Sequence, residues 1–288
     1  MAFNFPRLSI RRGKIFSIPH FKRLAEYGTQ TAWDEHFLLG PQSNIPIDEK
    51  LSEKLGLAPN SRILVFAGGG GDWAHALSAD HEVNYSDVSP AMRRYAQTRF
   101  PKLRKNMVRN AAFTPLNRDE YDWSFSFEPF PLHGITVPLA LMRSLINKKG
   151  AILVYSKPNT RDSVGVENDL KLVSELYGAE LQRHNVPIAV ENYGPVQHFQ
   201  WKLITNENAR RMAQLDSRLL RELNRTDVTK RKKIKISTLL SSRRVKQMKA
   251  SEAELHESLE RLNKLGAHMD QTTKHYGRRK LTLRIRAN

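Results

Sequence analysis

Four consecutive glycines, Gly68 to Gly71, follow the apolar run Ile63-Leu64-Val65-Phe66-Ala67 and lead into Asp72-Trp73-Ala74-His75-Ala76-Leu77. Glycine loses more backbone freedom on folding than any other residue, so such a run persists where the chain needs positive φ or where a ligand presses on the backbone. The pattern predicts a buried strand that turns sharply into a helix around a bound ligand. A chain containing such a turn is an α/β protein before anything else about it is known.

The flanking segments repeat the alternation. Residues 48–56 predict a short helix closed by Gly56, and residues 59–61 a turn into the first strand. Strands are expected at 82–86, 105–109, 123–127, 151–155, 180–190 and 197–205. Helices are expected at 21–39, from Ser89-Pro90 to about residue 99, at 137–146 and at 168–177. Strand alternating with helix argues for a doubly wound, mostly parallel seven-stranded sheet, the last two strands forming a hairpin at its edge. Alternation stops near residue 206. The chain therefore divides into a basic N-terminal arm and helix (1–50), a Rossmann-like domain (51–205) and a smaller, mainly helical module (206–288).

Charge is concentrated in that module. Of the formal +18, residues 206–288 contribute 22 Lys/Arg against 9 Asp/Glu, whereas residues 1–205 hold 25 against 20. Such a field attracts polyanions, nucleic acid first and an anionic membrane surface second; a solvated helix surface is the plainer alternative. The absence of cysteine excludes disulfides, thiolate metal sites and cysteine nucleophiles. No apolar run approaches the about 18 residues of a membrane span. Residues 1–25 carry six Lys/Arg and no acid. They read as a basic arm on a cytoplasmic protein, with a mitochondrial transit peptide as the alternative.

The glycines do not fit the commonest ligand loops. A dinucleotide site wants G-x-G-x-x-G, but glycines at 68 and 70 put Trp73 in the third place, and no Gly-Lys-Ser/Thr follows for a phosphate loop. Instead Val65, Phe66 and Ala67-Gly68-Gly69-Gly70-Gly71, with Glu82-Val83-Asn84-Tyr85-Ser86-Asp87 downstream, resemble the class I S-adenosylmethionine-dependent methyltransferases over residues 55–205. The resemblance implies S-adenosylmethionine as cofactor. It places the cofactor against Ala67, Gly68, Gly69, Gly70, Gly71 and Asp72. Asp87 becomes the acceptor for both ribose hydroxyls, where its plainer role is an N-cap. Val88 and Met92 lie near the adenine, Asn110 and Ala111 in the adenine loop, and Phe127 in the segment beside the methyl group, where it stacks on a planar substrate or belongs to the apolar core. Glu128 is the sole candidate for a base or acceptor-orienting residue, with an exposed loop acid of no chemical role as the equal alternative. The sequence departs from the family at Val65, where an acid is usual, at Ala67, where glycine is usual, and at Asn110, where aspartate is usual.

In the module, Met212, Leu215, Leu219, Leu220 and Leu223 mark an amphipathic helix over 209–225, and further helices are expected at 236–248 and 253–265. Residues 280–286 alternate like a strand, so a winged-helix-like module is expected. Glu252, Glu254, Glu257 and Glu260 make the last helix unsuited to a groove. Nucleic-acid contacts are expected instead from Lys230, Arg231, Lys232, Lys233, Lys235, Arg243, Arg244, Lys246, Arg278, Arg279 and Lys280, on phosphates or structured RNA. These readings converge on a methyltransferase acting on RNA or a ribonucleoprotein. The alternative is a methyltransferase-like scaffold or assembly factor whose cofactor site has decayed. No metal site is signalled.

Overall fold

The computed structural model describes residues 7–11, 14–18, 51–54, 56–66, 68–87, 90–106, 121–127, 137–146, 151–156, 161–190, 194–225 and 233–268. Elements are numbered in chain order. The apolar run before the glycines forms β3 (Arg62–Val65), buried throughout apart from its first residue. The chain returns through α2 (Asp72–Leu77) to β4 (Glu82–Tyr85), then α3 (Pro90–Arg99), β5 (Trp123–Phe127), α4 (Val137–Ser144), β6 (Ala151–Ser156) and α5 (Arg161–Tyr177). The antiparallel pair β7 (Glu180–Val190) and β8 (Gly194–Ile204) closes the sheet. Before β3 lie β1 (Arg7–Arg11), β2 (Lys14–Ile18) and α1 (Leu51–Lys54). After β8 come α6 (Glu207–Arg225), β9 (Lys233–Lys235), α7 (Ile236–Ser241), α8 (Arg243–Lys246) and α9 (252–268).

The main sheet runs β4-β3-β5-β6-β8-β7. Its β4, β3, β5 and β6 are parallel, and β8 reverses against β6. Strand order turns around at β3, with β4 on one side and β5 on the other, so a topological switch point opens beyond the carboxyl ends of β3 and β5. Apolar cover lies on both faces, as a mostly parallel sheet requires. One cluster joins Ile63, Val65, Val83, Tyr85 and Phe125 to α2 and α3 through Trp73, Leu77 and Ala96. The other packs Leu141, Leu170, Val173 and Trp201 with Leu219, Leu220, Leu255, Leu259 and Leu262. The second core is continuous across residue 206, so α6 and α9 belong to the packing of the sheet domain.

The sheet holds six strands among the described residues, one fewer than expected. The strand expected from residue 105 does not begin there, because Pro101–Asn106 is a 3-10 helix that packs Leu103 under α2 and α3. Residues 107–109 lie outside the described part. The helix expected at 236–248 is broken in two: Ser242 adopts an extended conformation (φ −61°, ψ 138°) and its Oγ accepts from the Val245 N–H. A serine that bonds nearby backbone competes with helix continuation, as Ser242 does by accepting from Val245 and Ser241 by donating to the Thr238 carbonyl. Helix α5 starts at Arg161, seven residues before the expected start. The expected wing strand at 280–286 and helix at 21–39 lie outside the described residues.

A second, three-stranded antiparallel sheet, β1-β2-β9, was not expected at all. It joins the N-terminal arm to the cationic run of the module.

Candidate functional site

The turn after β3 is stitched to the ends of both neighbouring strands. The Ser86 N–H donates to the Val65 carbonyl (2.8 Å), the Gly68 N–H to the Ser86 carbonyl (3.1 Å) and the Phe66 N–H to the Phe125 carbonyl (3.0 Å). Gly71 closes the turn on the Gly68 carbonyl (3.0 Å) and opens α2 at φ +88°. Asp87 stands at the end of β4, 4% exposed, and its Oδ2 accepts from the Gly69 N–H at 2.9 Å. The Tyr85 hydroxyl donates to the Gly69 carbonyl at 2.5 Å, and burial raises that phenol well above its ordinary value, so it stays a donor. Both polar groups of one glycine are thus held by the strand beside it. Arg93 completes the arrangement by donating from Nη1 to the Asp87 carbonyl (2.5 Å).

Most of the glycine requirement is internal to the protein. A Cβ on Gly68 would sit 2.5 Å from the Tyr85 ring, and one on Gly71 would sit 2.8 Å from the Ala96 Cβ, in a left-handed conformation. One on Gly70 would meet Asp72 Oδ2 at 3.1 Å and Tyr95 at 3.3 Å. Gly69 differs: its φ is +53° and, among the described residues, an added Cβ would meet nothing within 4 Å. The run of four therefore reduces to three packing glycines and one that faces open space. Gly69 is the crest of the turn.

Asp72 is buried at the start of α2 and pairs with Arg99 of α3 at 2.5 Å. Burial raises its carboxyl above the ordinary value, and Arg99 works against that rise. Arg99 also lies over the Phe100 ring at 4.8 Å, so the guanidinium is locked between an acid and an aromatic face. Of the other residues read from the sequence, Met92 is half-buried on α3 and Phe127 ends β5. Ala67, Val88, Asn110, Ala111 and Glu128 lie outside the described residues. The sequence reading missed Tyr85, Arg93 and Arg99. A cation in the first turn of a helix that follows a strand-end acid, as Arg93 stands to Asp87, is the available signal for one of them.

Another cleft, of about 780 Å³, lies at the amino ends of β3 and β4, lined by Ser52, Glu53, Leu57, Pro59, Asn60, Ala79, Asp80 and His81. His81 and Ser52 are 2.5 Å apart there. Nδ1 of His81 accepts from the Ser61 N–H (3.2 Å), so the ring proton sits on Nε2 and points at the Ser52 hydroxyl. Burial lowers the His81 pKa and keeps the ring neutral. A histidine that donates to a serine cannot take its proton, and this pair is not a nucleophile with its base.

On the module, Arg243 and Lys246 of α8 are exposed. Arg244 is spent on Glu222 (2.6 Å), while its carbonyl accepts from Arg218. Lys233 and Lys235 lie in β9. Lys230, Arg231, Lys232, Arg278, Arg279 and Lys280 are outside the described residues. Among the described residues no helix is long and apolar enough to cross a membrane.

No family model matches the chain, and no curated protein does. Solved structures do. A phosphoethanolamine N-methyltransferase of Haemonchus contortus, with phosphoethanolamine and S-adenosylhomocysteine bound, is 12% identical over 63% of this chain and 49% of its own (TM-score 0.47). The magnesium protoporphyrin IX methyltransferase of Synechocystis, with S-adenosylmethionine bound, is 13% identical over 62% and 81% (TM-score 0.40). A TehB-like methyltransferase of Corynebacterium glutamicum is 16% identical over 63% and 98% (TM-score 0.38). What this chain is similar to, in its motifs and among these structures, is the S-adenosylmethionine-dependent methyltransferases.

Proposed function

We propose that the chain is an S-adenosylmethionine-dependent methyltransferase whose substrate is RNA or a ribonucleoprotein. The observation that carries the first half is Gly69: an open backbone crest at the switch point of the sheet, beside the carboxylate of Asp87. That pairing fits an adenosyl group. A carboxylate with about four acceptor positions at a strand end is the group suited to accept from both hydroxyls of a ribose diol. The Gly69 crest is the place where backbone can be approached without a side chain intervening. When bound, the cofactor supplies an already activated methyl group. The chain's task is then to hold the acceptor in line and exclude water, which needs little acid-base machinery.

The RNA half rests on charge. The 22 Lys/Arg of residues 206–288 exceed the acids by 13, and Arg243 and Lys246 are exposed. Because the core crosses residue 206, deleting the module would strip the sheet of its cover and test nothing. Arg243→Glu with Lys246→Glu is the usable variant. Retention of RNA on filters across a salt series should weaken in that variant and show a shallower salt slope. Unchanged slope would remove this part of the proposal.

One observation favours the scaffold reading. Val65, 1% exposed, ends β3 where the family's acid would stand, and the neighbouring Asp72 carboxylate is already engaged by Arg99. The two readings separate in one experiment. Cellular RNA methylated by the wild-type chain and not by Asp87→Ala, with the fold intact, leaves no room for a decayed site.

A further inference from the structure

The basic N-terminal arm and the cationic run after α6 are far apart in sequence and pair in one sheet. The register sets which residues share a face. Arg11 lies opposite Lys14, and Lys14 opposite Lys235. Phe16 lies between Ser9 and Lys233, and Arg7 opposite Ile18. Because successive residues of a strand alternate between faces, Arg7, Arg11, Lys14, Phe16, Lys233 and Lys235 fall on one face. Ser9 and Ile18 share that face, while Leu8, Ile10, Ile15, Ser17 and Ile234 fall on the other, so one face is mainly cationic and the other mainly apolar.

Arg11, Lys14 and Lys235 form a row of like charges directly across three strands, and no acid stands among these strands' residues. Like charges in directly opposed positions destabilise a sheet. A row of them that nothing in the sheet offsets fits a surface completed by a polyanion. Phe16 sits inside the cationic set, and an aromatic flanked by cations on a sheet is a stacking platform for unpaired bases. Five-residue strands span about 17 Å, whereas duplex RNA readers cover about 16 base pairs by shape. The small aromatic-bearing face suits a single strand.

We propose that this face binds single-stranded RNA, so that residues 7–11, 14–18 and 233–235 form one docking surface contributed by both ends of the chain. The inference rests on the reading that the protein acts on RNA, and it assigns the place and the form of that RNA.

The test uses the full chain and a short fluorescein-labelled oligouridylate, read by anisotropy over a salt series. Arg11→Glu with Lys14→Glu should weaken binding at least about tenfold and lower the salt slope by about 1.4, the loss of two single-strand phosphate contacts. Phe16→Ala should weaken it about 5- to 100-fold with the slope unchanged. Lys264→Glu, an equal charge change per site at an exposed position of α9, should have little effect. Should the reversals disturb folding, Arg11→Gln and Lys14→Gln give the same direction, and photocrosslinking of wild type with 4-thiouridine RNA should map to residues 7–11, 14–18 and 233–235. No binding by wild type overturns the RNA reading and the face together. Binding that responds to Lys264→Glu as strongly as to the Arg11/Lys14 reversal, or crosslinks only elsewhere, overturns the face and leaves the RNA reading standing. Preference for duplex RNA overturns the single-strand assignment.

Discussion

Asp87 and Asp216 are both buried, yet their surroundings differ in kind. Asp216, on α6, is fully enclosed: Arg261 Nη2 and Nε donate to it at 2.9 and 3.0 Å, the Tyr177 hydroxyl at 2.6 Å, and the Ser258 hydroxyl as well. These donors come from α5 and α9, so the carboxylate locks three helices together. Burial raises its carboxyl and the Tyr177 phenol, and the Asp216 carboxylate raises the Arg261 guanidinium against the effect of burial. Asp87 instead stands at a strand end and accepts from the N–H of Gly69, where an added Cβ would meet none of the described residues within 4 Å. The lesson is that a buried acid answered on every side by protein marks architecture, while one at a strand end beside an uncrowded backbone turn is where a ligand is proposed.

The largest effect is expected at the architectural acid. Asp216→Ala leaves the Arg261 charge buried without its partner and should cost about 3–5 kcal/mol of unfolding free energy, read by chemical denaturation. If it costs no more than Asp87→Ala, the contrast between the two acids fails.

Next is Asp169 of α5, which pairs with His268 of α9 at 2.5 Å and whose carboxyl is raised to about 6, chiefly by burial and against the pull of His268. Between its ordinary value and about 6 the folded chain binds more protons than the unfolded chain. This group's contribution to stability therefore falls as pH rises through that window, by roughly 3 kcal/mol in all. Relative to wild type, Asp169→Asn should remove that slope; equal slopes in the two proteins would show that the carboxyl is not perturbed.

Within the turn, Gly71→Ala should cost about 1–3 kcal/mol, because it adds a left-handed strain to a 2.8 Å approach to Ala96. Gly69→Ala should cost only about 1 kcal/mol, the conformational part alone, so thermal melts that rank Gly69 above Gly71 would refute the division of the run into packing glycines and a crest. Asp87→Ala loses the charge-assisted bond from the Gly69 N–H, about 1–2 kcal/mol, which places it between the two glycine changes.

The strand, turn, helix and strand around Gly68 to Gly71 were legible because local signals agree there: apolar run, glycines, then a helix opening on Asp72. Residues 7–18 read only as part of a basic arm; β1 and β2 pair there, and their further partner β9 lies more than 200 residues on. Short-range pattern cannot find such a pairing. The same holds for Asp216, whose helix position between Leu215 and Ser217 gave no sign that Tyr177 and Arg261 would meet it. The module looked separate because its charge is distinctive, whereas the leucines at 215, 219, 255 and 259 were the part that decided its place in the core.

The central claim, that the Gly69 crest and Asp87 hold an adenosyl cofactor, is tested most directly by calorimetric titration of the full chain with S-adenosylmethionine. Saturable binding is predicted, weakened at least about tenfold by Asp87→Ala, the loss expected when a charged hydrogen-bond acceptor is removed. No heat and no thermal shift at millimolar cofactor, or binding that Asp87→Ala leaves unchanged, would contradict it.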